Sequence, residues 1–250
     1  MMYLGVDGNN MIHVLYHAKG GPDGVLDAFL ARIAALDDAL HPGALLVCFD
    51  RPSFRPAIIP AYKADRDERP EDLDGVLASA EKAAGSVGQV AWQNGFEADD
   101  CLATVAAHGV RCGYQVVLAT PDKDLRQCLA PGVKLLTKFR TDRGVCADGE
   151  WWTEKTLLEK HGLKPDQWTS FQALVGNNDN LPSAMGWGPK AAEKSLKACG
   201  SLGSMLAKPA DVPCTEKQRA SLREFGRIAI DVLAVVTMRT DVDAVFDALR

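Results

Sequence analysis

Apolar residues along this chain fall into short unbroken runs, separated by longer stretches in which they recur every three or four positions. "MYLGVD" (2–7) is one such run, with Gly5 inside it, and it stops at Asp7. "ALLVCFD" (44–50) stops at Asp50, and the apolar part of "YQVVLATPDKD" (114–124) ends just before Asp122 and Asp124. "QVAW" (89–92) and "VKLLT" (133–137) are weaker strand candidates. Runs that are apolar at nearly every position suit strands covered on both faces of a parallel sheet. Between them, "GVLDAFLARIAALDDAL" (24–40) and "DDCLATVAAHGVRCG" (99–113) carry helical spacing, the second ending at Gly113 as a C-cap. Alternating strand and helix predicts a doubly wound α/β domain, whose ligand crevice lies beyond the carboxyl ends of the strands. Asp7, Asp50, Asp122 and Asp124 are all expected along that edge.

A further acidic segment joins them. "GFEADDCL" (95–102) puts Glu97, Asp99 and Asp100 within four positions at the start of a predicted helix. Like charges this close raise one another's pKa unless something positive sits among them. A helix N-terminus favours anions by only about 0.3–1 kcal/mol, too little to hold three carboxylates together with four more from neighbouring strands. N-cap acids and a solvated turn account for "EADD" alone, but not for the whole set. Divalent cations are the simplest remedy: oxygen ligands suit Mg²⁺ or Mn²⁺, and no His or Cys accompanies the acids to suggest zinc.

Bulk properties set the frame. The chain has 250 residues, 47% hydrophobic and 24% charged, as in soluble globular proteins. No apolar run approaches the roughly 20 residues that span a bilayer. The start, "MMYLGVDGNN", carries no basic segment or small-residue cleavage site of an export signal. The seven cysteines are odd in number and form no C-x-x-C pair, which predicts reduced thiols and a cytoplasmic protein. His13 and His17 lie one helical turn apart, but with no third ligand nearby they read as an ordinary helix face. No Ser–His–Asp or Cys–His nucleophile is evident.

Taken in order, these segments resemble the 5'-3' exonuclease and flap endonuclease family. "VDGNNMIHVLYHA" resembles its first metal segment, and "FDRPSFRPAIIPAYKADRDERPEDL" its second metal strand followed by a Y-K-x-x-R arch. "GFEADDCLATVA" and "VVLATPDKDLRQCL" resemble its third and fourth metal segments. "DNLPSAMGWGPKAAEKSLKACGSLGSML" resembles its helix-hairpin-helix-type DNA-binding module, and "VVTMRTDV" the segment that closes the nuclease part. Singly D-G-N-N or D-K-D is weak; in this order the combination is specific.

The resemblance implies a PIN-like, Rossmann-like core with a mostly parallel sheet, a helical arch, and a C-terminal helix-3-turn-helix region. It divides the chain into a nuclease core at 1–165, with the arch at about 51–80, and a helical DNA-binding region at 166–250. It also implies two divalent ions, Mg²⁺ or Mn²⁺. Asp7, Asp50, Glu97, Asp99 and Asp100 surround the first; Asp122 and Asp124 lean toward the second, with Asp179 further along. Lys63 and Arg66 match the basic residues at the scissile phosphate, where positive charge stabilises a transition state. Arg55, Tyr62, Lys63, Arg66, Gly186, Gly188, Lys190 and Lys194 are the expected DNA contacts. Gly186 and Gly188 precede Pro189, where glycine lets backbone approach phosphate and a helix N-terminus supplies free N–H groups. The resemblance further implies K⁺ held by hairpin carbonyls. Trp187 reads as a packing residue.

Net charge, −5 overall, then changes meaning. Of 33 Asp and Glu, the eight assigned to metals leave 25, against 28 Lys and Arg. The bases cluster at Arg51, Arg55, Lys63, Arg66 and Arg69, at Lys190, Lys194 and Lys197, and at Lys217, Arg219, Arg223 and Arg227, as phosphate-backbone binding requires.

Two features depart from the family pattern. Where it reads G-D-x-x-D-N, this chain has "GNNDN", one aspartate short, and an anionic ligand fewer weakens the second metal site. Where the family commonly has an arginine seven residues after its first aspartate, this chain has Val14. The expected function is a stand-alone, monomeric, metal-dependent 5'-nuclease without a fused polymerase. It would act on DNA with 5' flaps or 5' ends, RNA–DNA primers included, in replication and repair. A DNA-structure binder with weak cleavage and a PIN-type ribonuclease are the alternatives; a receiver-like signalling domain leaves the second half of the chain unexplained.

Overall fold

The run ending at Asp7 forms a strand enclosed on both faces. In a computed structural model, residues 1–65, 70–139, 149–176 and 179–249 are described. The elements follow in chain order as β1 (Met2–Asp7), α1 (Gly8–Lys19), α2 (Val25–Leu40), β2 (Ala44–Cys48), α3 (Arg55–Ile58), α4 (Glu71–Ala84) and β3 (Gln89–Ala91). Next come α5 (Ala98–Arg111), β4 (Gln115–Ala119), β5 (Val133–Lys138), β6 (Glu150–Trp152), α6 (Glu154–His161), α7 (Trp168–Val175) and α8 (Pro189–Cys199). The last four are α9 (Leu202–Ala207), α10 (Glu216–Phe225), α11 (Ala229–Val236) and α12 (Asp243–Ala248).

The chain divides into two units. The first comprises residues 1–53, 68–153 and 238–250; the second comprises 54–67 and 154–237. One boundary between these units lies at 153/154, beside the 165/166 division drawn from the sequence. Two excursions depart from the sequence reading: part of the expected arch belongs to the helical unit, and the C-terminal segment returns to the α/β unit.

In the first unit the six strands run in the order β3-β2-β1-β4-β5-β6. All pairs are parallel except β5–β6, whose antiparallel partner is a three-residue edge strand too short to read from its pattern. Both faces of β1 are covered, as its apolar run requires. Leu4 and Val6 point into a cluster with Ile12, Phe29, Ile33 and Leu73 from α1, α2 and α4. Gly5 points the other way, where an added Cβ would come within 2.9 Å of Leu102 and Leu118 side chains. Gly109 of α5 is equally constrained, since a Cβ there would sit 2.2 Å from Val116 Cγ2. The two glycines let α5 lie close over β1 and β4, and overpacking at such a contact costs about 1–3 kcal/mol. Because β1 has β2 on one side and β4 on the other, the strand order reverses between β1 and β4. That is the switch point at which an α/β sheet opens a crevice beyond its carboxyl ends.

The second unit is helical. α7 packs against α8, α9 and α11, burying Trp168, Phe171, Leu174, Leu196, Leu202 and Val235. Trp168 and Phe171 stack with centroids 4.8 Å apart, and the His161 ring meets Trp168 edge-on at 5.1 Å.

Candidate functional site

Asp7 is the last residue of β1 and the N-cap of α1, and it is buried. Its Oδ1 accepts a hydrogen bond from Asn10 N–H at 2.9 Å, and its Oδ2 one from the Thr120 hydroxyl at 2.9 Å. Thr120 follows β4, so this bond straddles the switch point. Burial pushes the Asp7 carboxyl up to about 7; the two hydrogen bonds oppose the rise, while the charges of Asp50 and Asp122 add to it. Three carboxylates from three strand ends therefore act on one another in one place.

Asp50 follows β2. Its Oδ1 accepts from Ala98 N–H, at the start of α5, at 2.8 Å, and its own N–H donates to Asn9 Oδ1 at 3.0 Å. Asp122 caps the 3₁₀ turn at 123–128, its Oδ1 accepting from Asp124 N–H at 2.7 Å. Asp100 differs from these. It is fully buried, with Oδ2 on Glu97 N–H at 3.0 Å and Oδ1 on Arg239 N–H at 2.9 Å. Both of its oxygens thus serve the backbone, and one ties the returning C-terminal segment to α5. Asp99 is more exposed, and its charge reaches the thiols of buried Cys48 and half-buried Cys128. Cys48 is raised chiefly by its hydrogen bond with Cys101 and by burial, with Asp7 and Asp99 adding to the rise. Cys128 is pushed up to about 12, first by burial and then by Asp99 and Asp100. Seven of the eight predicted ligands therefore lie in the first unit: Asp7, Asp50, Glu97, Asp99, Asp100, Asp122 and Asp124. Asp179 belongs to the second.

Among the described residues, no three His, Cys, Asp or Glu side chains are drawn together as a ready cage. Mg²⁺ keeps several of its waters and engages only one or two carboxylates directly, so a site for hydrated ions spaces its acids apart. Carboxylates without a cation between them also repel. The donor chemistry fits divalent ions: acidic and all oxygen, with Asp7, Glu97 and Asp100 buried and the Asp7 proton held by burial and by its like-charged neighbours.

The pattern reading missed the groups that hold these acids. Thr120 stands inside "LATPDKD", and Asn9 and Asn10 inside "DGNN"; Asn10 caps Asp7 locally, but Thr120 and Asn9 reach Asp7 and Asp50 across 113 and 41 positions. Arg126 also went unread. Half-buried, its guanidinium lies 3.7 Å from the Trp152 ring centroid. Burial lowers its pKa, partly offset by Asp124, Glu150 and Asp122.

The expected DNA contacts fare unevenly. Arg55 is 1% exposed, and its Nε donates to Val235 O at 2.8 Å. It joins α3 to α11 inside the second unit, which corrects its assignment to a DNA surface. Tyr62 is also buried, with Lys63 Nζ 4.9 Å from its ring centroid. Lys63 has φ +56°, and its N–H donates to Asp179 O at 3.0 Å. Arg66 lies outside the described residues, as do Arg69, Asn177 and Asn178. Gly186 takes a left-handed φ of +78°, whereas Gly188 is the ordinary N-cap of α8. Trp187 is buried as expected, its Nε1 donating to Gln218 O at 3.0 Å while Gln218 Nε2 donates to Gly186 O at 2.9 Å. This pair straps the glycine turn to α10. Lys190, Lys194 and Lys197 line a shallow hollow on the exposed face of α8. Two other basic groups are partly committed to the fold: Arg51 pairs with Glu81 at 2.7 Å, and Arg219 with Glu216 at 3.1 Å.

Comparison with known proteins bears on this arrangement. Residues 2–162 match the family described as 5'-3' exonuclease, N-terminal resolvase-like domain. A thermostable DNA polymerase I of Thermus thermophilus is 38% identical over 203 residues, 78% of this chain but 23% of the polymerase. The chain thus spans about a quarter of the polymerase relatives it matches. Flap endonuclease Xni of Serratia proteamaculans is 30% identical over 242 residues, 94% of this chain and 92% of that protein. Among solved structures, T5 5'-exonuclease with zinc bound superposes with a TM-score of 0.82 at 20% identity, covering 100% of this chain and 94% of that one. The fold, the ordered acidic segments and the match over residues 2–162 agree, and the chain belongs to the 5'-3' exonuclease family.

Proposed function

We propose that this protein is a metal-dependent, structure-specific 5'-nuclease that hydrolyses phosphodiesters in DNA carrying 5' flaps or 5' ends, RNA–DNA primers included. The observation that carries the reading is the placement of Asp7, Asp50 and Asp122 at or beyond the carboxyl ends of β1, β2 and β4, neighbouring strands at the sheet's switch point, where the Thr120 hydroxyl donates to Asp7. The likeness to Xni, matched over nearly its whole length, supports it. So does the fold shared with a T5 D15 flap endonuclease crystallised with DNA and metal ions.

Asp7, Asp50, Glu97, Asp99 and Asp100 would surround one divalent ion, Mg²⁺ or Mn²⁺, and Asp122 and Asp124 would lean toward a second, each directly or through water. When bound, such a pair lowers the pKa of an attacking water and stabilises charge on the leaving oxygen. The chain's own part is to fix its oxygens: Asn10 N–H and Thr120 orient Asp7, and Ala98 N–H orients Asp50. Lys63 and Arg66 are proposed to place positive charge at the scissile phosphate. The second unit is proposed to act as the helix-hairpin-helix-type region, gripping duplex backbone through the turn at Gly186 and through Lys190 and Lys194. K⁺ at the hairpin carbonyls and Asp179 as an outer ligand belong to the same proposal, as does a monomeric protein.

The shortened "GNNDN" favours a second reading, a DNA-structure binder with weak cleavage. Turnover on a 5'-flap duplex across Mg²⁺ and Mn²⁺ concentrations separates the two, with single-stranded RNA as a control for ribonuclease action. Product from the DNA flap, abolished in Asp50→Ala and reduced about a hundredfold in Lys63→Ala, is expected. Binding without product, or cleavage confined to RNA, would overturn the nuclease reading.

A further inference from the structure

Positions 190, 193, 194 and 197 of α8 share one face, as residues three, four and seven apart do in a helix, and they read Lys, Glu, Lys, Lys. All four side chains line the same shallow hollow. An acid in the middle of a basic face works against phosphate binding. Glu193 stands three residues after Lys190 and four before Lys197, the two spacings at which opposite charges pair along a helix. Yet its carboxylate turns to another helix: Glu193 Oε1 meets Nδ1 of His161, the last residue of α6, at 2.8 Å. An ionised carboxylate only accepts, so Nδ1 is the donor. The imidazole is itself fixed by packing, edge-on to Trp168 at 5.1 Å and tilted against Phe171 at 6.0 Å. Only 23% of the His161 side chain and 20% of the Glu193 side chain are open to solvent, so water screens this pair less than it would an exposed one.

The next residue acts on one of the lysines. Gly162 has φ +64°, and a Cβ there would fall 2.1 Å from Lys197 Cε and 2.2 Å from its Nζ, so the lysine stem lies over the glycine. Its ammonium is thereby drawn to the carboxyl end of α6, where the helix dipole favours a cation. Residues 161 and 162 thus take up two charges of α8 that stand one turn apart, Glu193 and Lys197. Lys190 and Lys194 are the charges that the face then presents.

We propose that the end of α6 sorts the charges of α8. His161 is a positioning residue that holds the Glu193 carboxylate away from Lys190 and Lys194, and so keeps their charge for the phosphates of bound DNA. The inference rests on the reading of α8 as a grip on duplex backbone and deepens it: it assigns the lysines that serve and the group that keeps them available.

The test is the anisotropy of a dye-labelled 5'-flap duplex with the full chain over a salt series, with Ca²⁺ in place of Mg²⁺. His161→Phe keeps a ring against Trp168 and Phe171 but offers Glu193 no donor. The released carboxylate should cancel about one phosphate contact, weakening binding about threefold and lowering the slope of log Kd against log salt by about 0.9. Glu193→Ala breaks the same link from the other side, yet should bind as tightly as wild type or up to about twofold tighter. His161→Phe/Glu193→Ala should recover the wild-type affinity and slope. A plain tie between α6 and α8 predicts the reverse, equal loss from either single variant and no recovery in the double, and that result overturns the proposal. His161→Ala takes the place of His161→Phe if thermal melts show that the larger ring prevents folding. Lys190→Gln/Lys194→Gln is the control for the grip itself. If it lowers the slope and His161→Phe does not, the sorting fails and the grip stands. If the lysine variant leaves the slope unaltered, α8 is not in the interface and both readings fall.

Discussion

At the carboxyl edge of the sheet, Asp7 and Asp100 are buried, and each of their oxygens accepts a hydrogen bond from a backbone N–H or a hydroxyl. Along α8, Lys190, Lys194 and Lys197 stand in solvent about one turn apart on a single face. Both regions gather like charge, yet they do so under different constraints. A buried carboxylate is tolerable only where dipoles or a cation compensate it, so its position is fixed before any ligand arrives. An exposed lysine needs no such support and retains its rotamer freedom. The first arrangement suits chemistry, which tolerates little misplacement; the second suits an adaptable grip on a phosphate backbone.

The sharpest way to break this contrast is to remove charge within the acidic edge without removing shape. Asp122→Asn keeps an oxygen for the Asp124 N–H and should cost cleavage at least about a hundredfold, with the melting temperature unchanged or raised. Asp100→Ala should lose cleavage too, but for a mixed reason. It leaves the N–H groups of Glu97 and Arg239 without acceptors, at about 1–3 kcal/mol each when buried. Thermal melts run beside flap assays distinguish the two. Equal destabilisation by both variants would mean that Asp100 ties the backbone no more than Asp122 does.

How much of this was legible follows from whether the signal was local. Asp7, Asp50 and Asp122 each end an apolar run, so their convergence at one sheet edge could be read from the pattern. The tether from Asp100 to Arg239 could not, since it spans 139 positions and uses a backbone N–H. Arg55 shows the opposite error. Within "RPSFRPAIIPAYK" it looks like surface charge, but its side chain crosses 180 positions to the carbonyl of Val235 and is sealed from solvent. Composition alone does not distinguish a guanidinium satisfied by a carbonyl from one that waits for phosphate. The family resemblance supplied the rest of the acidic site, while the return of residues 238–250 to the α/β unit emerged only from the fold.

The next effect is on stability. Asp7 titrates near 7 in the folded protein, against about 3.8 in the open chain. Between those values the fold keeps a proton that the unfolded chain has already released. The contribution of Asp7 is therefore full below about pH 4 and drains away as pH rises toward 7. In metal-free protein this should remove a few kcal/mol across that window, roughly 5–10 °C in melting temperature. Asp7→Asn should flatten this part of the profile, and saturating Mg²⁺ or Mn²⁺ should restore stability at pH 7.5. A wild-type profile that matches Asp7→Asn would mean that burial and neighbouring charges do not govern this carboxyl.

The smallest effect belongs to α8, and its signature is slope more than size. If Lys190 and Lys194 each neutralise a phosphate, Lys190→Gln/Lys194→Gln should weaken flap binding by about tenfold at moderate salt. It should also reduce the slope of log Kd against log salt by nearly two, because each released counterion contributes about 0.9. Cleavage at saturating DNA should hardly change, since these side chains are proposed to hold duplex backbone and not the reacting phosphate. Their burial is slight and their helix is anchored by Ala192, Ser195 and Leu196 on its opposite side, so folding should be unaffected. An unaltered salt slope would remove α8 from the interface and leave the turn at Gly186 to carry the grip. A fall in turnover at saturation would show instead that the lysines take part in positioning the bond, and the separation between fixed acids and adaptable bases would no longer hold.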